Sequence, residues 1–261
     1  MEVVICRDEE EIGRLGADVV SRLVRTRPEA VLGVATGSSP RPVYAELVAR
    51  VRAGELDLSG VSTFSLDEYV GLPEGHPASY RTEIRRELTD PAGIPPERVH
   101  SPQGSAGDLP AAARAYEKRI AAAGGVDVQL LGIGSDGHIA FNEPGSSLAS
   151  RTRIKTLTRR TREDNARFFD GDTDAVPTHC LTQGLATIMQ ARHVVLVATG
   201  EGKARAVAQL VEGAVSARWP ATVLQWHPHV SVLLDEAAAA GLGLAGYYRE
   251  AWANKPDWQG L

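Results

Sequence analysis

The sequence is poor in cysteine, in aromatic residues and in any sustained apolar run, and it carries no excess of positive charge. Its two cysteines, Cys6 and Cys180, are too few and too isolated for a disulfide framework or a zinc site. No stretch approaches the roughly 20 apolar residues of a membrane-spanning helix. The opening MEVVICRDEEE reads as a strand entering an acidic helix start rather than a basic leader before an apolar core, so a cytoplasmic protein is expected. With 28 Lys and Arg against 33 Asp and Glu, the formal charge of −5 argues against nonspecific nucleic-acid binding. It leaves room for an anionic substrate, because a few local cations can outweigh the global field. Neither a Walker A loop, a GxGxxG turn nor a GxSxG elbow is present. The histidines are scattered and the carboxylates lack a ligand-type repeat, so no metal is expected.

Within the 261 residues, short apolar runs alternate with amphipathic stretches. Strands are predicted at 2–6, 31–35, 61–66, 126–133, 193–198 and 230–234, with helices at about 8–25, 40–51, 79–88, 109–123, 181–189 and 203–211. Asp8 is the expected cap of the first helix. The 126–133 run is apolar apart from Asp127 and Gln129, as a strand covered on both faces should be. The pattern predicts an α/β protein with an open, mostly parallel, Rossmann-like sheet flanked by helices on both faces. No repeat, low-complexity tract or clean linker interrupts it, so residues 1–261 are expected to form a single domain.

Chemistry-bearing residues gather where these strands end. Asp136, His138 and Glu143 follow the fourth strand, in GIGSDGHIAFNEP. A carboxylate beside an imidazole sets the ring's tautomer and acidity, which is what general acid–base catalysis needs. Thr36-Gly37-Ser38-Ser39-Pro40 joins a strand to a helix and can aim several N–H groups and hydroxyls at an anion. Asp67 ends the third strand, and Lys203 stands at a later strand-to-helix junction. In an open parallel sheet these exits share one edge, where ligands bind. Arg167 and Lys203 are the candidate cations for a phosphate. Arg151, Arg153 and Lys155 alternate, which predicts a strand with one cationic face. The inventory supports proton transfer on a small phosphorylated polyol or sugar.

ATGSSP (35–40), FSLDEYVGLPEGHPASY (64–80), GIGSDGHIAFNEPGSSLASRTR (132–153), NARFF (165–169), VPTHCLTQGLATIM (176–189), ATGEGKA (198–204) and LQWHPHVSVLLDEAA (224–238) resemble the glucosamine-6-phosphate deaminase family, in register over nearly the whole chain. The DEYVGLP and DGHIAFNEPGSS blocks are the most specific. The resemblance implies conversion of glucosamine 6-phosphate and water to fructose 6-phosphate and ammonia, without a redox cofactor. It implies that Asp67 moves the C2 proton toward C1 and that His138 assists ring opening, with Asp136 and Glu143 orienting it. It assigns Gly37, Ser38, Ser39, Arg167 and Lys203 to the phosphate, and residues from about Leu157 to Cys180 to a mobile helical lid.

Some members of that family are hexamers activated by N-acetylglucosamine 6-phosphate, and others are smaller assemblies without that control. Ser146, Arg153 and Lys155 match activator positions at subunit contacts, so a homo-oligomer with such an activator is one expectation. The Ala/Gly-rich tail after Glu236 diverges, leaving Tyr248 as the nearest aromatic counterpart. Two rivals stand beside the deaminase reading: a 6-phosphogluconolactonase, which shares a Gly-Asp-Gly-His loop, and a noncatalytic sugar-phosphate sensor. Phe141-Asn142-Glu143-Pro144-Gly145 matches the deaminases, and no basic recognition helix marks a sensor.

Overall fold

The computed structural model describes residues 1–256 and 258–261. Alternating strands and helices build a seven-stranded parallel sheet from β1 (Glu2–Ile5), β2 (Val31–Val34), β3 (Ser62–Ser65), β5 (Val99–His100), β6 (Val128–Leu131), β9 (His193–Ala198) and β10 (Val230–Leu234). The spatial order is β1-β10-β9-β6-β2-β3-β5. This is the Rossmann-like α/β arrangement expected from the sequence. Period-two alternation divides each strand between two apolar layers. On β9, Val195 and Val197 pack into the layer with α1 (Glu9–Thr26) and α2 (Arg41–Arg52). Val194, Leu196 and Ala198 face the opposite layer, with Tyr116 and Ile120 of α4 (Leu109–Ala122) and Val207 and Leu210 of α7 (Ala204–Glu212).

Local chemistry sets the element ends. Asp8 caps α1 by accepting the Glu11 N–H at 2.8 Å, and Asp108 caps α4 by accepting the Ala111 N–H at 2.8 Å. Asp127, buried at the start of β6, accepts the Val31 N–H and takes Arg27 and Arg192 at 2.6 and 2.8 Å, which pins β2 beside β6. Among the described residues no helix is long and apolar enough to cross a membrane.

A second, three-stranded antiparallel sheet sits beyond the first and was not expected. It comprises β4 (Asp67–Tyr69), β8 (His179–Thr182) and β7 (Arg153–Thr156), in the order β4-β8-β7. The helix predicted over 181–189 is therefore corrected. His179–Thr182 pairs with Asp67–Tyr69 on one side and Arg153–Thr156 on the other, and only α6 (Leu185–Ile188) is helical. Pairing on both edges outweighs the weak helical spacing of so short a run. Arg153 and Lys155 do share a half-buried face of β7, while Arg151 precedes the strand and pairs with Glu117.

Between β7 and β8 the chain forms α5 (Arg159–Asn165) and one further turn at Ala166–Phe168. Leu157, Ala166, Phe169 and Val176 from this excursion bury against Tyr69, Tyr80 and Phe141. Phe169 meets Tyr69 edge-on at 5.6 Å between ring centres, a favourable aromatic geometry. Of the segment expected to be a helical lid, residues 159–168 are helical, and its apolar groups pack on Tyr69, Tyr80 and Phe141.

Candidate active site

Asp67 and His138 line one cleft of about 620 Å³, together with the Gly37–Ser39 turn, Asp136, Glu143, Arg167 and Lys203. All nine residues the sequence assigned to catalysis and phosphate binding come together there. The strand exits explain the convergence, because β2, β3, β6 and β9 are adjacent and parallel and so deliver their loops to one edge.

The Asp136–Glu143 loop is shaped by close approach. Gly137 adopts φ +83°, and Ala140 sits at φ +51° without being glycine. Such strained backbone concentrates where a loop must aim a side chain. Gly134 has a different reason: a Cβ there would stand 2.2 Å from His138 Cε1, so only glycine lets the imidazole lie over the turn. Asp136 receives His138 Nδ1 at 2.7 Å and the His138 N–H at 3.2 Å. Burial opposes the charge on Asp136, but the hydrogen bond and charge of His138 prevail and hold its pKa at about 2. With Nδ1 committed to that carboxylate, Nε2 is the nitrogen left for substrate.

Asp67 is only 7% exposed and has no hydrogen-bond partner among the described residues. Burial, then the charges of Glu68 and Glu83, push its pKa well above the usual carboxylate range. Glu68, by contrast, is saturated. It accepts from the Tyr69, Tyr80 and Arg81 N–H groups and from Ser79 Oγ at 2.8–3.1 Å. Those bonds tie β4 to the start of α3 (Tyr80–Ile84), whose Tyr80 and Glu83 also face the cleft.

Glu143 takes its hydrogen bonds from the excursion above it: Thr158 Oγ1 donates at 3.3 Å, and Thr161 Oγ1 donates too. His138 is paired with Asp136 instead, so one carboxylate holds the ring and the other the excursion between β7 and β8. Arg167 and Lys203 form no salt bridge among the described residues; Arg167 lies over the Phe168 ring at 4.8 Å. Burial lowers the pKa of Lys203, with Asp136 acting upward and Arg167 downward. Asp235 accepts the Gly200 N–H at 2.9 Å and caps the helix that follows it through Ala238, fixing the turn that presents Lys203.

The Gly37 turn departs from expectation in one detail. Gly37 has φ +94°, and its N–H donates to Glu83 Oε1 at 3.0 Å. Its amide is therefore engaged within the protein, whereas Ser38 and Ser39 offer amides and hydroxyls with no acceptor among the described residues. Ser39 stands so close to Gly132 that a Cβ there would lie 3.1 Å from Ser39 Oγ, which sets the turn against the exit of β6. Glu83 carried no signal in the sequence, being one carboxylate on a short helix with a partner 46 positions away. Among the described residues no three His, Cys, Asp or Glu side chains gather as a metal-ligand set, and both cysteines are buried and unpaired.

A parallel sheet whose strand exits bring a carboxylate–imidazole pair and a second buried carboxylate to an anion-ready cleft defines an α/β enzyme. Its kind follows from comparison with known proteins. The profile described as glucosamine-6-phosphate isomerases/6-phosphogluconolactonase matches residues 9–233, and the chain belongs to that family. The glucosamine-6-phosphate deaminases of Beutenbergia cavernae and Streptomyces coelicolor are 64% and 59% identical to it, each over the full length of both chains. A solved monomeric glucosamine-6-phosphate deaminase superposes with a TM-score of 0.89 at 39% identity, covering 92% of this chain and 100% of that one. The 6-phosphogluconolactonase of Trypanosoma brucei shares the fold at a TM-score of 0.74 but only 23% identity, over 93% of this chain and 98% of its own.

Proposed function

We propose that this protein deaminates D-glucosamine 6-phosphate, giving D-fructose 6-phosphate and ammonia. The observation that carries the reading is a buried, unpartnered Asp67 facing the same cleft as the Asp136–His138 pair, on a chain 64% identical throughout to a deaminase. In this reading the phosphate lies against Ser38, Ser39, Arg167 and Lys203, with Gly37 as the turn that presents them. His138 Nε2 takes the proton of the anomeric hydroxyl and passes it to the ring oxygen, which opens the pyranose. Asp67 removes the C2 proton while the carbonyl oxygen takes up a proton, giving an enolamine. It then returns its own proton to C1, giving the ketose imine. Water adds at C2 and ammonia leaves. A carboxylate with a raised pKa suits this shuttle, since it is a stronger base toward carbon and a ready acid on the return. Glu143, held by Thr158 and Thr161, links the catalytic loop to the lid, whose closure excludes bulk solvent while retaining the one water that hydrolyses the imine. The whole chain acts as one domain in the cytoplasm, in amino-sugar catabolism.

Incubation with glucosamine 6-phosphate should release ammonia and fructose 6-phosphate in equal amounts. Hydrolysis of 6-phosphogluconolactone without ammonia would favour the lactonase reading, and binding without turnover a sensor.

The finer part of the proposal concerns assembly and control. β7 is an edge strand whose half-buried face carries Arg153 and Lys155, and Ser146 Oγ is buried without a hydrogen-bond partner among the described residues. These features support a contact between copies that holds N-acetylglucosamine 6-phosphate as activator, with no nucleic-acid or membrane partner. Titration with that sugar phosphate should lower the half-saturating substrate concentration. An unchanged saturation curve would remove the activator, and a monomer by sedimentation would remove the contact.

A further inference from the structure

Glu83 is a buried carboxylate on the cleft wall that the proposed chemistry leaves unused. Its Oε1 accepts the Gly37 N–H at 3.0 Å and lies 3.6 Å from Arg41 Nη2, at the start of α2. Arg41 also reaches Glu87, at 3.4 Å, and so is shared between two carboxylates. Glu83 belongs to α3, whose first turn is tied through Glu68 to the strand that bears Asp67. Two carboxylates in series, Glu68 and Glu83, therefore join the strand that carries the candidate base to the turn that offers Ser38 and Ser39. Gly37 at φ +94° has no side chain to brace it, and nothing lies within 4 Å of where a Cβ would stand. A glycine turn of this kind is costly to order unless a strong hydrogen bond holds it.

We infer that Glu83 is a positioning residue for the substrate, whose carboxylate fixes the Gly37 amide and so sets the Ser38 and Ser39 donors for the phosphate. The inference rests on the deaminase reading of the cleft. It assigns Gly37 to the architecture of the turn and leaves direct anion contact to the two serines. The charge of Glu83 has a second effect, because it faces Asp67 alongside Glu68, among Tyr69, Tyr80, Tyr116 and Cys180. Reach and charge can be separated by substitution. Glu83→Gln keeps the reach and loses the charge, while Glu83→Asp keeps the charge and is one methylene too short.

The test measures KM and kcat for glucosamine 6-phosphate, their pH profiles, and calorimetric binding of D-glucitol 6-phosphate, which has no anomeric carbon and cannot turn over. Glu83→Asp should raise KM and the glucitol 6-phosphate Kd about tenfold or more, as expected for losing a hydrogen bond to a charged group, with kcat within about threefold of wild type. Glu83→Gln should stay within about threefold of wild type in KM and Kd. Its acid limb of kcat/KM should move to lower pH, because a negative charge beside Asp67 is gone, whereas that of Glu83→Asp should stay in place. In wild type the Gly37 amide proton should resonate downfield, and Glu83→Asp should shift it. Wild-type KM and Kd in Glu83→Asp, or equal losses in both variants, would overturn the role of Glu83. Wild-type protein that binds neither sugar phosphate would instead overturn the reading of the cleft.

Discussion

Asp67 sits where an acid is expensive: buried, without a hydrogen-bond partner among the described residues, and beside Glu68 and Glu83. The sign of its stability effect follows from the raised folded pKa. The protonated form is compatible with the fold and the ionised form opposes it, so stability is complete below the unfolded carboxylate pKa and is lost as pH rises through the folded one. Asp67→Asn should therefore melt higher than wild type at about pH 8, with the gap closing toward about pH 4. Equal melting temperatures across that range would contradict the burial of an ionisable acid. Gly134→Ala tests the imidazole's seat: its Cβ would stand 2.2 Å from His138 Cε1, so kcat should fall about tenfold or more with the fold intact. At this scale the sequence was informative wherever a reactive side chain follows a strand, as with Asp67, Asp136, His138 and Lys203. It was silent on Glu83, because a single glutamate in YRTEI has no spacing that announces a contact with Gly37. It was silent too on Glu143 reaching Thr158 and Thr161.

The excursion between β7 and β8 is held down by two kinds of contact. Apolar groups at Leu157, Ala166, Phe169 and Val176 pack below it, and the hydroxyls of Thr158 and Thr161 meet Glu143. None of the α5 residues is itself buried, so the helix depends on its flanks for order. Replacing Thr158 and Thr161 together by valine should speed amide exchange across 159–165 and lower kcat/KM for glucosamine 6-phosphate, while β6 and β9 exchange as slowly as before. Unaltered exchange in that segment would show that the threonines do not fasten it. Six of the seven main-sheet strands were readable from alternation and apolar runs; β5, two residues long in a turn-rich stretch, was not. Of the three-stranded sheet only β7 was readable, from the alternation of Arg151, Arg153 and Lys155; its pairing was not, since the strands begin at residues 67, 153 and 179. HCLTQGLATIM spaces its apolar residues as a helix would, and only pairing with two distant partners makes its first four residues a strand.

The molecule as a whole carries a second set of buried titratable groups, at the edge of its sheet opposite the cleft. The cleft lies at the C-terminal ends of the strands, whereas His193 begins β9 at the opposite edge. His193 stacks on His229 at 3.5 Å and bonds Ser231 Oγ at 2.9 Å. Burial, then the nearby His229, His227, Arg22 and Lys255, lowers its pKa to about 3. A histidine with a depressed folded pKa supports the fold above its unfolded value and loses that support as pH falls toward the folded one. Replacing His193 by Gln should flatten the stability curve between about pH 6.5 and pH 3, and an unchanged slope there would assign acid sensitivity elsewhere. Fold class and the meeting of loops at one edge were legible at this scale because parallel topology dictates both. The central claim is that Asp67 and His138 act across one sugar-phosphate cleft. The most direct measurement compares ammonia release from glucosamine 6-phosphate by wild type and Asp67→Asn, with both proteins titrated with D-glucitol 6-phosphate. The expected result is turnover lost by about 10²-fold or more with binding retained. Full ammonia release by Asp67→Asn would contradict the account.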